Sequence, residues 1–466
     1  MLFSSATFIF IFLPIVCATY ILAKKELHNP ILLIASILFY AWGEPTYLAI
    51  MLLTIIISYF GAIFINKFPQ HKKLTLVSTI LLDLSFLFYF KYFNFFVDNI
   101  NLLFHSNIDI IKVIMPIGIS FYTFQALSYV IDVYKKEVQV QNNFYKLALY
   151  ICLFPQLVAG PIVKYHDVEK EIESRDVTFD KVSLGTKRFI IGLSKKMIIA
   201  NIIGAVVDKI FIQSPDTFSS FVAWIGAFAY IMQLYFDFSG YSDMAIGLGL
   251  IFGFKFLENF NYPYISKSIT EFWRRWHISL STWFKLYIYI PLGGNRVGKL
   301  LHYRNLLIVF FVTGFWHGAG WTFIVWGIWH GLFIVMEKAT GLAQETQNKI
   351  ANIFKHIYAM LVVTLGFVVF RADNITYALK YIKRMFSFSP APASAYPLSY
   401  YGGIAEIIIS IIAILCSVGL FANMLNFAQK NKYTKAFVNL WLLIIFVFSL
   451  SLVAASTYNP FIYFNF

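Results

Sequence analysis

The stretch "GFWHGAGWTFIVWGIWHG", residues Gly314 to Gly331, contains Trp-His-Gly twice. His317 and His330 sit there among Trp, Phe, Ile and Val, with no acidic residue close by. Imidazole is the side chain whose ordinary pKa, about 6.5, suits proton transfer at neutral pH. The two rings are 13 positions apart, so one unbroken helix would turn about 1,300° between them and leave them on different faces. Gly318 and Gly320 intervene, and a break near 318–320 is expected, with two shorter helices aiming both rings inward. A satisfied core residue accounts for either histidine taken singly. The pair, with His277 in another polar and aromatic segment, points to chemistry. Metal binding is poorly supported, because no third and fourth ligand is at hand.

Two further segments place polar groups where an apolar chain should not carry them. "QLYFDFSGYSDMAIGLG" sets Asp237, Ser239, Tyr241, Ser242 and Asp243 between two apolar runs. Either Asp237 caps the following helix with Gly240 making the break, or these residues form the polar wall of a cavity. "YISKSITEFWRRWHISLSTWFKLYIYIPLGG", Tyr264 to Gly294, is too polar to span a bilayer. It reads as an amphipathic helix at the interface, or one buried beside a polar cavity. Glu271 lies three and four residues before Arg274 and Arg275, so the charges share a helix face. One arginine is taken by the ion pair. The other, with Lys285, is open to an anionic ligand from the cytosol, and guanidinium suits bidentate phosphate binding.

The elements that must position these groups follow from composition. Of 466 residues, 59% are hydrophobic and only 13% charged. A soluble chain carries nearer a quarter charged residues. The apolar excess falls in continuous blocks of helix-spanning length, which indicates an all-α polytopic membrane protein rather than a barrel. The expected spans are 7–23, 30–43, 46–66, 74–97, 110–134, 145–162, 187–212, 218–236, 241–257, 305–317, 321–337, 355–371, 401–423 and 436–457. Those at 145–162 and 241–257 are short or Gly-rich and read as re-entrant. The first run lacks a basic flank before it and a small-residue cleavage site after it, and is read as a retained span rather than a signal peptide.

The net charge of +14 is assigned to loops that stay in the cytoplasm, not to nucleic-acid binding. Lys24-Lys25, Lys67 with Lys72-Lys73, and Lys135-Lys136 each follow an inward-going span if the N-terminus is outside. Lys430, Lys432 and Lys435 then place the C-terminus outside as well. Cys17, Cys152 and Cys416 lie in apolar runs, with neither metal-ligand spacing nor a disulfide framework.

"ITEFWRRWHISLSTWFKLYIYIPLGGNR" followed by "RNLLIVFFVTGFWHGAGWTFIVWGIWHG" resembles the membrane-bound O-acyltransferase family, and "PIGISFYTFQALSYVIDVY", "FPQLVAGPIVKY" and "QLYFDFSGYSDMAIGLG" add to the likeness. The resemblance covers nearly the whole chain. It is strongest to the bacterial branch that O-acetylates alginate or peptidoglycan, and weaker to the D-alanyl transferase of teichoic acids. It implies a bundle of roughly 11 to 14 transmembrane and re-entrant helices around a central tunnel, in the bacterial cytoplasmic membrane. As one acyltransferase domain over 1–466, this divides into N-terminal helices (1–134), a catalytic core (135–337), C-terminal helices (338–457) and an extracytoplasmic aromatic tail (458–466).

By the same resemblance His330 is the family's histidine and His277 its second signature position. His317, Trp316, Trp329, Asp237 and Ser239 line or support the tunnel, and Arg274, Arg275 and Lys285 meet the donor. The donor implied is acetyl-CoA, a substrate, with no bound cofactor or metal. A thioester is already activated, so what the reaction lacks is a nucleophile, and an imidazole can take the proton of an attacking hydroxyl. His330 is assigned as that base. His277 would hydrogen-bond the acceptor or stabilise the oxyanion.

The tail "NPFIYFNF" resembles the aromatic-Tyr-aromatic motif that, in the D-alanyl system, sits on a separate small partner. Tyr463 is therefore expected to carry the acyl group to an extracytoplasmic SGNH or esterase-like transferase. Its competing reading is an interfacial aromatic belt in the membrane lipid. Two other classes stand beside the enzyme. A transporter or flippase would also carry intramembrane His, Asp and Arg. A non-catalytic scaffold would hold the transferase without its own chemistry.

Overall fold

The computed structural model describes residues 1–111, 113–158, 160–387, 392, 395–420 and 432–455. Its regular structure is helical, with no strand among the described residues. In hydrocarbon every backbone amide must be satisfied internally, and helices do this within one segment. Six helices among the described residues are long and apolar enough to cross a membrane: Leu48–Lys67, Lys72–Phe104, Phe179–Phe211, Ser220–Ile251, Lys349–Arg371 and Tyr433–Ala455. Their outer faces carry the apolar side chains. Leu440, Leu443, Ile444 and Val447 of the last helix are all exposed, as a lipid-facing surface requires. The remaining expected runs form shorter helices, such as His28–Gly43 and Ile404–Ser417, or more polar ones, such as Lys299–His317 and Trp321–Thr340.

The chain divides into two compact units, Met1–Phe189 with Tyr241–Leu257, and Ile190–Gly240 with Glu258–Phe466. In the first, Arg175 ties distant segments together. Its Nε donates to the Tyr20 hydroxyl and to the Phe252 carbonyl, both at 3.0 Å, and Nη1 donates to Asn29 Oδ1 at 2.6 Å. In the second, Tyr230, Trp273, Trp276, Trp326, Phe367 and Phe370 belong to one buried aromatic and aliphatic core.

The structure corrects one expectation about helix breaks. Spans 218–236 and 241–257 are a single helix, Ser220–Ile251, that passes through Gly240 without interruption. Gly240 serves packing instead. A Cβ there would lie 2.8 Å from the Gly192 carbonyl oxygen and 3.2 Å from the Lys196 amide nitrogen. Asp237 therefore caps nothing. It accepts a hydrogen bond from Lys196 Nζ at 2.5 Å, and both residues are buried. Lys196 stands in a π-helical turn, Lys195–Ala200.

The Tyr264–Gly294 segment is also not one helix. It folds as Ile269–Arg275 and Ile278–Phe284, followed by a π-helical turn over Lys285–Tyr289. Phe272, Trp273, Trp276 and His277 are buried, so this part of the segment lies within the protein, while Lys285 and Ile290 further on are exposed. The expected break at 318–320 is present: one helix ends at His317 and the next begins at Trp321.

Because Lys196 and Asp237 are buried against each other, removing one takes away the ion pair of the other inside the protein, and breaking a buried pair typically costs about 3–5 kcal/mol. Lys196→Met and Asp237→Leu are each expected to lower thermal stability in detergent strongly. The double substitution should recover much of that loss, and melting curves of the three variants check this.

Candidate active site

The two histidine helices meet backbone to backbone. A Cβ on Gly314 would lie 2.3 Å from the Phe323 carbonyl oxygen, and one on Gly327 would lie 2.3 Å from that of Phe310. The Cα of Gly327 stands 3.1 Å from the Gly314 Cβ position, so these glycines are the crossing point of the hairpin. Small residues allow such approach between membrane helices. Each histidine follows its crossing glycine by three residues, one helical turn on, in Gly-Phe-Trp-His and Gly-Ile-Trp-His.

This crossing brings His317 and His330 to the same indole. The Trp326 ring lies 5.1 Å from His317 and 5.3 Å from His330, edge to face with both. Trp273 closes on His330 at 5.2 Å and Phe370 on His317 at 5.3 Å. Trp316 lies 4.9 Å from His317 and 6.3 Å from His277, and Phe238 covers His277 at 4.6 Å. The three histidines thus belong to one aromatic enclosure, and His277 and His330 are fully buried.

Neither ring nitrogen of His330 has a hydrogen-bond partner among the described residues. A buried polar group left so costs about 1–3 kcal/mol. Such a group is expected where a ligand completes it.

The other residues singled out from sequence fall in different places. Ser239 and Asp237 are buried on the Ser220–Ile251 helix. Trp329 donates from Nε1 to the Val362 carbonyl at 3.0 Å and packs on Phe333, so it braces two helices. Glu271 pairs with Arg275 at 2.9 Å. Arg274 and Arg275 line a cavity of about 870 Å³, together with Lys267, Lys338 and Lys355 and the carboxylates of Glu271, Glu337 and Glu345, so that cations are in excess. That volume lies in the range of small-molecule and cofactor sites, about 300–1,000 Å³. Lys285 is exposed on its π-helical turn and is not among the cavity's lining residues. Tyr463 lies outside the described residues.

One short helix serves both places. Ile269–Arg275 sets Trp273 against His330 and places Arg274 and Arg275 in the cavity.

Three residues that matter here escaped the sequence reading. Glu337, buried at the cavity floor, accepts from the amides of Ile269 and Thr270 at 2.5 and 2.9 Å and from the Thr270 hydroxyl at 2.6 Å. It pins the start of the Trp273 helix to the helix of His330. A signal existed, since Glu337 follows His330 by seven residues and shares its face. Gly366 faces His330 directly, and a Cβ there would lie 2.7 Å from His330 Nε2. Asn259 Oδ1 lies 3.1 Å from His277 Nδ1. Nothing in the local pattern around Gly366 or Asn259 announces these contacts.

The family model described as MBOAT, membrane-bound O-acyltransferase family, matches residues 34–378. The chain belongs to that family. It is a multi-pass membrane protein and an O-acyltransferase. The acyltransferase is 41% identical, over the whole of both chains, to a Pseudomonas putida protein named "Probable alginate O-acetylase". It is 37% identical to the "Peptidoglycan O-acetyltransferase" of Helicobacter pylori, over 83% of this chain and 80% of that one. Its likeness to the "Teichoic acid D-alanyltransferase" of Bacillus subtilis is 30% over 45% of this chain and 55% of the other.

Gly366→Ala tests the tight space at His330. The added methyl displaces the ring, while alanine in a helix gains up to about 1 kcal/mol of propensity over glycine. Acyl transfer assayed in membranes should fall at least about tenfold, one unit of 1.4 kcal/mol in the barrier. Folded yield and melting temperature should stay close to those of the parent chain.

Proposed function

We propose that this acyltransferase takes acetyl from cytosolic acetyl-CoA and hands it across the bacterial cytoplasmic membrane, for O-acetylation of a cell-envelope polysaccharide. The observation that carries the reading is the dual role of the Ile269–Arg275 helix. It holds the indole that packs on His330, and it places guanidinium groups in a basic cavity of cofactor size. Arg274 suits the phosphates of a coenzyme A donor, with Arg275, paired to Glu271, beside it. Lys285 stands nearby in sequence and is kept only as a secondary contact.

In this scheme a hydroxyl attacks the thioester carbonyl inside the aromatic enclosure. The C–O bond forms, the C–S bond breaks, and His330 takes the hydroxyl proton and returns it to the leaving thiolate. Atoms and charge balance without a metal or a redox partner. His277 assists as a hydrogen-bonding group, and His317 with Trp316 lines the approach.

We further propose that the hydroxyl is that of Tyr463, on a C-terminal tail placed outside by the distribution of Lys and Arg. A phenol, with its pKa of about 10, gives up its proton more readily than a sugar hydroxyl. Its ester is also the more reactive, so onward transfer is downhill. An extracytoplasmic SGNH or esterase-like transferase would receive the acetyl group. For the polymer, the resemblance alone leans slightly to peptidoglycan. An alginate-like exopolysaccharide is the acceptor proposed first, because a relative that matches end to end bears that name, with peptidoglycan next.

Purified protein is expected to release free coenzyme A from acetyl-CoA, and His330→Ala should lower that rate about 10²- to 10⁴-fold, the usual worth of general-base catalysis. A wild-type chain that moves an acyl donor without releasing the thiol would overturn the reading in favour of a transporter.

Mass spectrometry should find acetyl on Tyr463 in the wild type and none in His330→Ala. Polymer acetylation that continues unchanged in Tyr463→Phe would end the carrier role.

A further inference from the structure

His277 occupies an unusual backbone position. Its φ and ψ are 45° and 56°, the left-handed region that non-glycine residues rarely adopt and that costs about 1–3 kcal/mol. Asn259 surrounds it. The Asn259 carbonyl accepts from the Ile278 amide at 2.9 Å. Its side-chain Oδ1 accepts from the Ser279 amide at 3.1 Å and from the Ser279 hydroxyl at 2.9 Å. The same Oδ1 lies 3.1 Å from His277 Nδ1. Asn259 is itself buried.

These contacts decide the chemistry of the ring. A backbone amide can only donate, so the Asn259 atom facing the Ser279 amide must be oxygen, not the amide nitrogen. Ser279 Oγ, 3.5 Å from Nδ1, gives its hydrogen to the same Oδ1 at 2.9 Å, so the oxygen acceptor opposite Nδ1 calls for Nδ1 to carry its own hydrogen. In the neutral ring Nε2 then holds the lone pair. Of the two roles the sequence left open for His277, a neutral ring in this tautomer fills only one. It accepts a hydrogen bond and has no second N–H for a developing oxyanion.

We infer that Asn259 is a positioning residue of the transfer site: it holds His277 in its left-handed conformation and its Nδ1–H tautomer, and so presents Nε2 as an acceptor toward an O–H or N–H of the bound substrates. The inference rests on the reading of His277 as part of the site. It adds a residue that neither the family resemblance nor the named relatives assign. The logic is that of any ring held in one tautomer by a buried acceptor, where losing the orienting group can cost far more rate than stability.

The test is a double-mutant cycle on the full-length chain, read as acetyl-CoA-dependent release of coenzyme A. Asn259→Ala should reduce turnover about tenfold or more, and should cost nothing further when added to His277→Ala. Equal losses in both backgrounds would overturn the inference, since a purely structural residue acts whether or not the imidazole is present.

Asn259→Asp keeps the acceptor oxygen and should restore most of the activity lost in Asn259→Ala. An Asn259→Asp chain no more active than Asn259→Ala would speak against the inference. A wild-type chain without coenzyme A release strikes the proposed function instead. In that case the ¹⁵N chemical shifts of His277, assigned with His277→Gln, still decide the matter: hydrogen on Nδ1 supports the inference and hydrogen on Nε2 overturns it.

Discussion

Two backbones in contact at Gly314 and Gly327 determine the geometry of the site. With any side chain at either position, the Lys299–His317 and Trp321–Thr340 helices would stand further apart. Their histidines, one turn beyond the crossing, would then not share Trp326. The hydrophobic effect supplies no driving force between helices in lipid, so close packing of this kind is what holds them. The site is a consequence of that packing and not of a loop draped over it.

A second constraint is the scarcity of water. Inside the bundle, polar groups depend on partners within the chain. Lys196 meets Asp237, Glu337 meets the amides of Ile269 and Thr270, and Asn259 meets the turn at His277. Each of these arrangements fixes a distance between elements far apart in sequence. Both ring nitrogens of His330 lack a partner among the described residues, as do the indole nitrogens of Trp273 and Trp326 beside it. The surrounding rings of Trp273, Trp326 and Phe367 make the enclosure dry without satisfying the imidazole. An imidazole in such surroundings is suited to accept a proton from a hydroxyl that arrives with its own.

The basic cavity and the aromatic enclosure are linked by seven residues, Ile269–Arg275. Glu337 holds one end of this short helix, and the left-handed His277 follows its other end. A donor whose phosphates engage Arg274 and Arg275 would bear on the element that carries Trp273. Binding of the remote part of a substrate can thus be felt at the reacting centre through a short rigid segment, the arrangement by which enzymes use binding energy for orientation.

Much of this was legible in the residues themselves. Continuous apolar runs require transmembrane helices, because length and hydropathy are properties of a single segment. The break at 318–320 followed from the intervening glycines, and an ion pair of Glu271 with one of Arg274 and Arg275 from helical spacing. The histidines announced themselves by being polar in an apolar stretch. Reading Gly240 as a break failed because a glycine's meaning depends on what lies opposite. There the carbonyl of Gly192 makes it a packing site within one continuous helix. The same dependence on distant partners hid Gly366 against His330 and Asn259 beside His277, contacts between positions 36 and 18 residues apart. Periodicity and composition report what a segment does along its own axis. Which nitrogen of a ring carries its hydrogen, and which glycine lets a ring stand where it does, are set by groups that only the folded chain brings within 3 Å or so of one another.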